Sequence, residues 1–113
     1  MKKIEAIIRP SKLKAVQKGL KDAGIPCITA VPVKGTGLQK TFSERYRGTE
    51  QSMILQTRTL IICIVSDSNL DVCVNTILDH ASEGNVGDGK TFIYHVEDAI
   101  RISTRVKGGE AII

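Results

Sequence analysis

The hydrophobic period of this chain switches from two to about three and a half and back again, and it does so twice. From Lys3 to Arg9, Ile4, Ala6 and Ile8 alternate with their neighbours, which predicts a half-buried strand. Pro10-Ser11 then opens a helix carrying Leu13, Val16, Leu20 and Ala23 at spacings of three and four, stopped by Gly24 and Pro26. A second strand is expected from about Cys27 to Val33, ended by Gly35 and Gly37. The pattern restarts with the strand Leu60 to Val65. Ser66, Asp67, Ser68 and Asn69 offer N-caps for a helix with Leu70, Cys73, Val74, Ile77, Leu78 and Ala81 on one face, ending near Gly84. Thr91 to Val96 reads as a strand, and Ile100, Ile102 and Thr104 continue in extended alternation until Gly108-Gly109. Strand-helix-strand, long loop, strand-helix-strand is the split βαβ arrangement. The expected fold is α+β and ferredoxin-like, a double βαβ with an antiparallel sheet and both helices on one face.

The run Leu60 to Val65 is apolar at every position, whereas a strand with one wet face should alternate. Its second face therefore needs a cover, and the pattern supplies no third helix. Self-association across the open sheet face is the simplest solution. The run is far shorter than the ~18 residues of a membrane span. Met1-Lys2-Lys3 leads directly into an alternating strand containing Glu5, unlike a secretory signal, so a cytoplasmic protein is expected, not itself embedded in a membrane. A length of 113 residues fits one domain, 1–113, and a hydrophobic share of 42% with a net charge of +4 excludes a disordered tail. Cys27, Cys63 and Cys73 are odd in number and widely spaced, so they read as reduced, mostly buried thiols and not as zinc ligands or disulfides. No activated nucleophile, carboxylate pair or metal cluster is visible, and an enzyme is not expected.

The stretch from about 36 to 57 lacks a periodic pattern. Unstructured connections of that length are uncommon in compact domains unless they carry function. Further on, Gly84-Asn85-Val86-Gly87-Asp88-Gly89-Lys90-Thr91 satisfies GxxxxGK[ST]. A nucleotide-binding P-loop follows a strand and opens a helix, whereas here the order is helix, loop, strand, which excludes that fold. The local chemistry survives: Gly87 and Gly89 allow backbone N–H groups to converge on an anion, and Lys90 adds a point charge suited to phosphate. A plain helix-to-strand turn is the alternative. The charge of +4 admits phosphorylated ligands, nucleic acid or an anionic surface. Phe92 and Tyr94 alternate onto one sheet face, where RNA-binding modules of this fold class stack bases. The flanking basic-aromatic signature is absent, so an RNA-binding module is a remote alternative and no nucleic acid is expected.

Several segments together resemble the PII signal-transduction family over essentially the whole length. They are Met1-Lys2-Lys3-Ile4-Glu5-Ala6-Ile7-Ile8-Arg9-Pro10, Val33-Lys34-Gly35-Thr36-Gly37 with Gln39-Lys40, Glu44-Arg45-Tyr46-Arg47-Gly48, and Gly84 to Phe92. The resemblance implies a homotrimer with three nucleotide clefts between neighbouring subunits. It implies ATP or ADP as competing effectors, and 2-oxoglutarate bound through magnesium on the ATP phosphates in many members. The loop at about 36–57 would be the T-loop, which docks on transporters, an ammonium channel among them, or on metabolic enzymes and regulators. By the same resemblance Gly35, Thr36 and Gly37 approach the nucleotide, and Gly87, Asp88, Gly89 and Lys90, in a glycine-rich loop at about 84–90, hold its phosphates. Ile7 and Ile64 line the adenine slot, while Ile28, Thr29 and Arg101 come from the neighbouring side. Leu38 and Ser103 stand at further nucleotide-site positions, the latter in a C-terminal loop at about 101–113. Gln39 would ligate magnesium and contact a 2-oxoacid, with Lys40 and Arg58 beside it. Arg45, Tyr46, Arg47, Gly48 and Thr49 would meet the partner.

The departures from the family pattern point to a divergent member. Leu38 and Ser103 replace arginines, and each missing guanidinium removes charge-assisted hydrogen bonds of ~1.5–3 kcal/mol. Ile62 replaces a usual Glu, and Arg58 replaces the Lys that grips 2-oxoglutarate, keeping the charge but not the shape. Thr41 stands where Gly is common. Gln51 replaces the Tyr that is uridylylated, which rules out that modification at this position, whereas Thr49 follows Arg47-Gly48 where a related Ser is phosphorylated in some members. Two roles are expected: a regulator of nitrogen metabolism, or an adenylate-charge sensor without a 2-oxoglutarate response that acts on another transporter or system.

Overall fold

The computed structural model describes residues 1–37 and 54–113. Four strands, β1 (Lys2–Ile8), β2 (Thr29–Gly35), β3 (Gln56–Val65) and β4 (Lys90–His95), form one antiparallel sheet in the order β2-β3-β1-β4. Helix α1 (Leu13–Asp22) joins β1 to β2, and α2 (Leu70–Ala81) joins β3 to β4. Each strand-helix-strand unit therefore leaves a gap that a strand of the other unit fills, which is the split βαβ expected.

One face of the sheet carries both helices. Ile4, Ala6 and Ile8 of β1 and Ile61, Cys63 and Val65 of β3 are buried there, against Val16 and Leu20 of α1 and Cys73, Ile77 and Ala81 of α2. Strand β3 thus separates its apolar run in two: alternate residues enter this core, while Leu60, Ile62 and Ile64 lie half-buried on the opposite face. Both helices pack on the core side, so neither covers that opposite face. The thiols of Cys63 and Cys73 meet inside the core, and that contact together with burial pushes the Cys63 thiol upward, so it is inert. Cys27 is exposed.

Local signals explain the helix ends. Pro10 begins a 3-10 turn over Pro10–Lys12 that runs into α1. At the other end Gly24 adopts φ +85°, with its N–H donating to the Lys21 carbonyl and that of Ile25 to the Leu20 carbonyl. This is a Schellman stop, and only glycine enters that backbone region without steric cost. Buried Ile25 completes it.

Several expectations need correction. Ser66 to Asn69 do not cap α2 through their side chains; Asp67–Asn69 form a 3-10 turn, and Ser66 Oγ bonds Ser68 Oγ instead. Leu78 faces outward, because it lies about 100° around the helix from Ile77, which takes the core position. Strand β3 starts four residues before Leu60, since Gln56 to Thr59 pair with Gly35 to Pro32 of β2. Strand β2 begins and ends two residues later than its apolar pattern suggested. Ile100, Ile102 and Thr104 do not extend the sheet. The chain folds back there through hydrogen bonds from Arg101 N to the Val106 carbonyl and from Arg105 N to the Arg101 carbonyl. Arg105 holds φ +61° in that turn.

Candidate functional site

Three cross-strand rows centred on β1 lie on the face away from the helices. Opposed residues of antiparallel strands share a face, so Lys90, Ile7, Leu60 and Val31 form one row and Phe92, Glu5, Ile62 and Thr29 the next. Tyr94, Lys3 and Ile64 form the third. Between the last two rows the Tyr94 hydroxyl donates to Glu5 at 2.8 Å, and Lys3 sits 3.1 Å from Glu5 and over the Tyr94 ring. The Tyr94 hydroxyl and the Lys3 ammonium hold the Glu5 carboxyl below its ordinary value.

The glycine-rich segment lies at the end of the sheet where the first row stands. It follows α2 and enters β4, confirming the reversed order that excluded a P-loop. Gly89 presses on β1: at φ +105°, a Cβ there would fall 1.7 Å from the Ile7 carbonyl oxygen. Lys90 is directly opposite Ile7. Ile7 and the loop from Gly87 to Lys90 therefore lie side by side. The base of the long loop, Gly35 with Thr36 and Gly37, leaves from the same end but from the opposite edge, where Gly35 pairs with Gln56. Arg58 is close by, its guanidinium donating to Gln56 Oε1 at 2.6 Å and to the Thr57 carbonyl at 2.9 Å.

Asp88 has a different place from the one the sequence suggested. Its carboxylate turns back into the loop, where Oδ2 accepts from the N–H groups of Glu83, Gly84 and Asn85 at 3.0–3.2 Å and from the Ser82 hydroxyl at 3.2 Å. Desolvation alone would raise this carboxyl; the loop N–H groups, Ser82 and Arg9 outweigh it and hold the carboxyl below its ordinary value. Arg9, which the sequence did not single out, reaches both Asp88 Oδ1 and the Val86 carbonyl. A carboxylate between two glycines, with a Ser six residues upstream, was the available signal for such a self-closed turn.

The remaining expected residues gather at the other end of the sheet. Ile64 lies opposite Lys3, four residues along β3 from Leu60, the partner of Ile7. That is a separation of ~13 Å along the strand, so Ile7 and Ile64 of one chain do not line a common slot. Ile64 belongs with Ile28 and Thr29 instead, beside a cavity of about 810 Å³ whose wall includes Ile25, Cys27, Ile64, Lys107 and Ile112. Arg101 leads the C-terminal loop, and its guanidinium donates to the carbonyls of Glu110 at 2.7 Å and Ile113 at 3.2 Å. Ser103 is exposed in the same loop. Leu38, Gln39, Lys40, Thr41, Arg45, Tyr46, Arg47, Gly48, Thr49 and Gln51 lie outside the described residues. Among the described residues no group of three His, Cys, Asp or Glu side chains is placed to hold a metal ion.

The family model for nitrogen regulatory protein P-II matches residues 1–106. The chain belongs to the P-II family. Among its relatives, nitrogen regulatory protein P-II of Haemophilus influenzae is 44% identical over 112 residues, covering 99% of this chain and all of that protein. The P-II protein of Nostoc punctiforme is 45% identical and nitrogen regulatory protein P-II 1 of Escherichia coli 43% identical over the same coverage. As a P-II protein the chain is a signal-transduction regulator in nitrogen regulation that acts on partner proteins, and it is not an enzyme. The four-stranded sheet with its two helices is the ferredoxin-like arrangement of P-II. Among the described residues no helix is long and apolar enough to cross a membrane.

Proposed function

We propose that this P-II protein senses ATP and ADP in clefts between copies of itself and passes the result to a partner through the loop at about 36–57. The observation that carries the reading is the split of the nucleotide residues between opposite ends of one sheet. Ile7, Gly35, Thr36, Gly37 and Gly87 to Lys90 are at one end, and Ile28, Thr29, Ile64 and Arg101 at the other. A single chain cannot close them on one small molecule, whereas two copies, each offering one end, can. The apolar residues on the open sheet face, among them Ile7, Val31, Leu60, Ile62 and Ile64, supply the surface for such an assembly, a homotrimer.

In the complete cleft Lys90 contributes a point charge to the phosphates, and the turn at Gly87 and Gly89 brings backbone N–H groups toward them. Ile7 and Ile64 supply apolar walls for the base. Arg101 exchanges its two carbonyl acceptors for a phosphate, a stronger, charge-assisted partner. Gly35 to Gly37 touch the nucleotide where the long loop begins. Only contacts that differ between ATP and ADP shift the loop population, because a ligand that binds two states equally shifts neither. Arg45, Tyr46, Arg47, Gly48 and Thr49 carry the partner contact, on an ammonium channel, another transporter or a metabolic enzyme. Magnesium on the nucleotide would be held through Gln39. The proposed place of action is the cytoplasm.

Ser103 and Leu38 stand where the family pattern has arginines, and these losses favour an adenylate sensor with a reduced preference for the triphosphate. The reading with a 2-oxoglutarate response rests on Arg58, which keeps a cation at that site beside Gln39 and Lys40. Calorimetric titration with ATP, ADP, and ATP with magnesium and 2-oxoglutarate separates the two. Binding of both nucleotides is expected, with little enhancement by 2-oxoglutarate. A strong enhancement would establish the second reading, and no uptake of either nucleotide would overturn both. Lys90→Ala is expected to weaken both nucleotides about tenfold; unchanged affinity would remove Lys90 from the phosphate site.

A further inference from the structure

The glycine-rich loop closes on one of its own side chains, and a residue of another element holds the closure. Oδ2 of Asp88 saturates the N–H groups of Glu83, Gly84 and Asn85. Its other oxygen, Oδ1, lies 3.4 Å from both Nε and Nη2 of Arg9. The same Nη2 donates to the Val86 carbonyl at 3.1 Å, and Nε is 3.3 Å from Glu83 Oε2. Lys12 adds a cation 3.4 Å from Glu83 Oε1. The Arg9 and Asp88 side chains are only 23% and 21% exposed, so their attraction is less screened than that of a surface pair.

Two consequences follow from elementary electrostatics. The donors of 83–85 are committed to a carboxylate and cannot serve an incoming anion, so the turn at 86–90 must carry that role. An uncompensated carboxylate beside that turn would repel phosphate at close range. Arg9 cancels it. Arg9 also follows directly on Ile8 at the end of β1, the strand on which Gly89 rests, so it fixes the loop to the sheet at a second point.

We propose that Arg9 is a positioning residue for the nucleotide site, acting through Asp88 to hold the 82–89 loop in shape and to neutralise the carboxylate beside the phosphates. The inference rests on the nucleotide reading given above. Its test is a double-mutant cycle on the full chain with Arg9→Met, Asp88→Asn and the pair. Two quantities are read: amide hydrogen exchange of residues 83–85 without nucleotide, and calorimetric affinity for ATP and for ADP. Arg9→Met is expected to speed exchange in 83–85 and to weaken both nucleotides about tenfold in the parent, but less than about twofold in Asp88→Asn. Arg9→Lys should recover part of the loss, since it restores the charge without the planar fork. Equal losses from Arg9→Met in both backgrounds would overturn the proposal. So would a lowered melting temperature with unchanged affinity, the signature of a role in folding alone. If the parent binds neither nucleotide, the nucleotide reading falls and the affinity claim with it; the exchange arm still reads the Arg9–Asp88 clasp independently.

Discussion

The carboxylate of Asp88 takes four donors on one oxygen and Arg9 on the other, and its charged form is favoured accordingly. Because its folded pKa lies below the unfolded value of about 3.9, the contribution of this loop to stability is complete above that pH. It is lost as pH falls through the folded value. An NMR titration of the Asp88 side-chain carbon should therefore show a midpoint below that of a free Asp, and Arg9→Met should move it upward. A midpoint at the ordinary value would mean that the clasp does not form in solution. Gly89 is the other position where one residue decides the loop. With φ +105° and a would-be Cβ 1.7 Å from backbone, Gly89→Ala must move β1 or the loop. A loss of more than ~2 kcal/mol in denaturant unfolding is expected.

Strand β3 shows at the level of one element how far a hydrophobic pattern reaches. Its six apolar residues indicated two faces that both want cover, and the structure divides them between the helix-covered core and the open rows. Ile61 is fully buried and Ile64 only half-buried. Ile61→Ala should therefore cost ~2–5 kcal/mol in unfolding experiments, and Ile64→Ala distinctly less in the separated chain. The first four residues of β3, Gln56 to Thr59, were not legible as strand because they are largely polar. They are extended because the edge strand β2 offers them backbone partners. The alternation at Ile100 to Thr104 erred in the other direction. Pattern alone cannot tell a strand from a turn when there is no neighbour to pair with, and here the chain hydrogen-bonds to itself through Arg101 and Val106.

For the whole molecule, the question is what lies on the sheet face away from the helices. Leu60 stands in its first row between Ile7 and Val31. If this face closes by assembly, light scattering should report a trimer, and Leu60→Asp should reduce it to monomers with weakened nucleotide binding. A parent monomer would remove both the covered face and the completed cleft. The two βαβ units, the core residues of β1, most of those of the helices and the stop at Gly24 followed from the sequence. Each depends on local period or on a backbone conformation. The clasp from Arg9 to Asp88 joins residues 79 positions apart, and its existence was decided only when β1 and the loop before β4 were laid side by side. The separation of Ile7 from Ile64 likewise came from antiparallel register, because distance across a sheet is a property of pairing, which no single segment encodes.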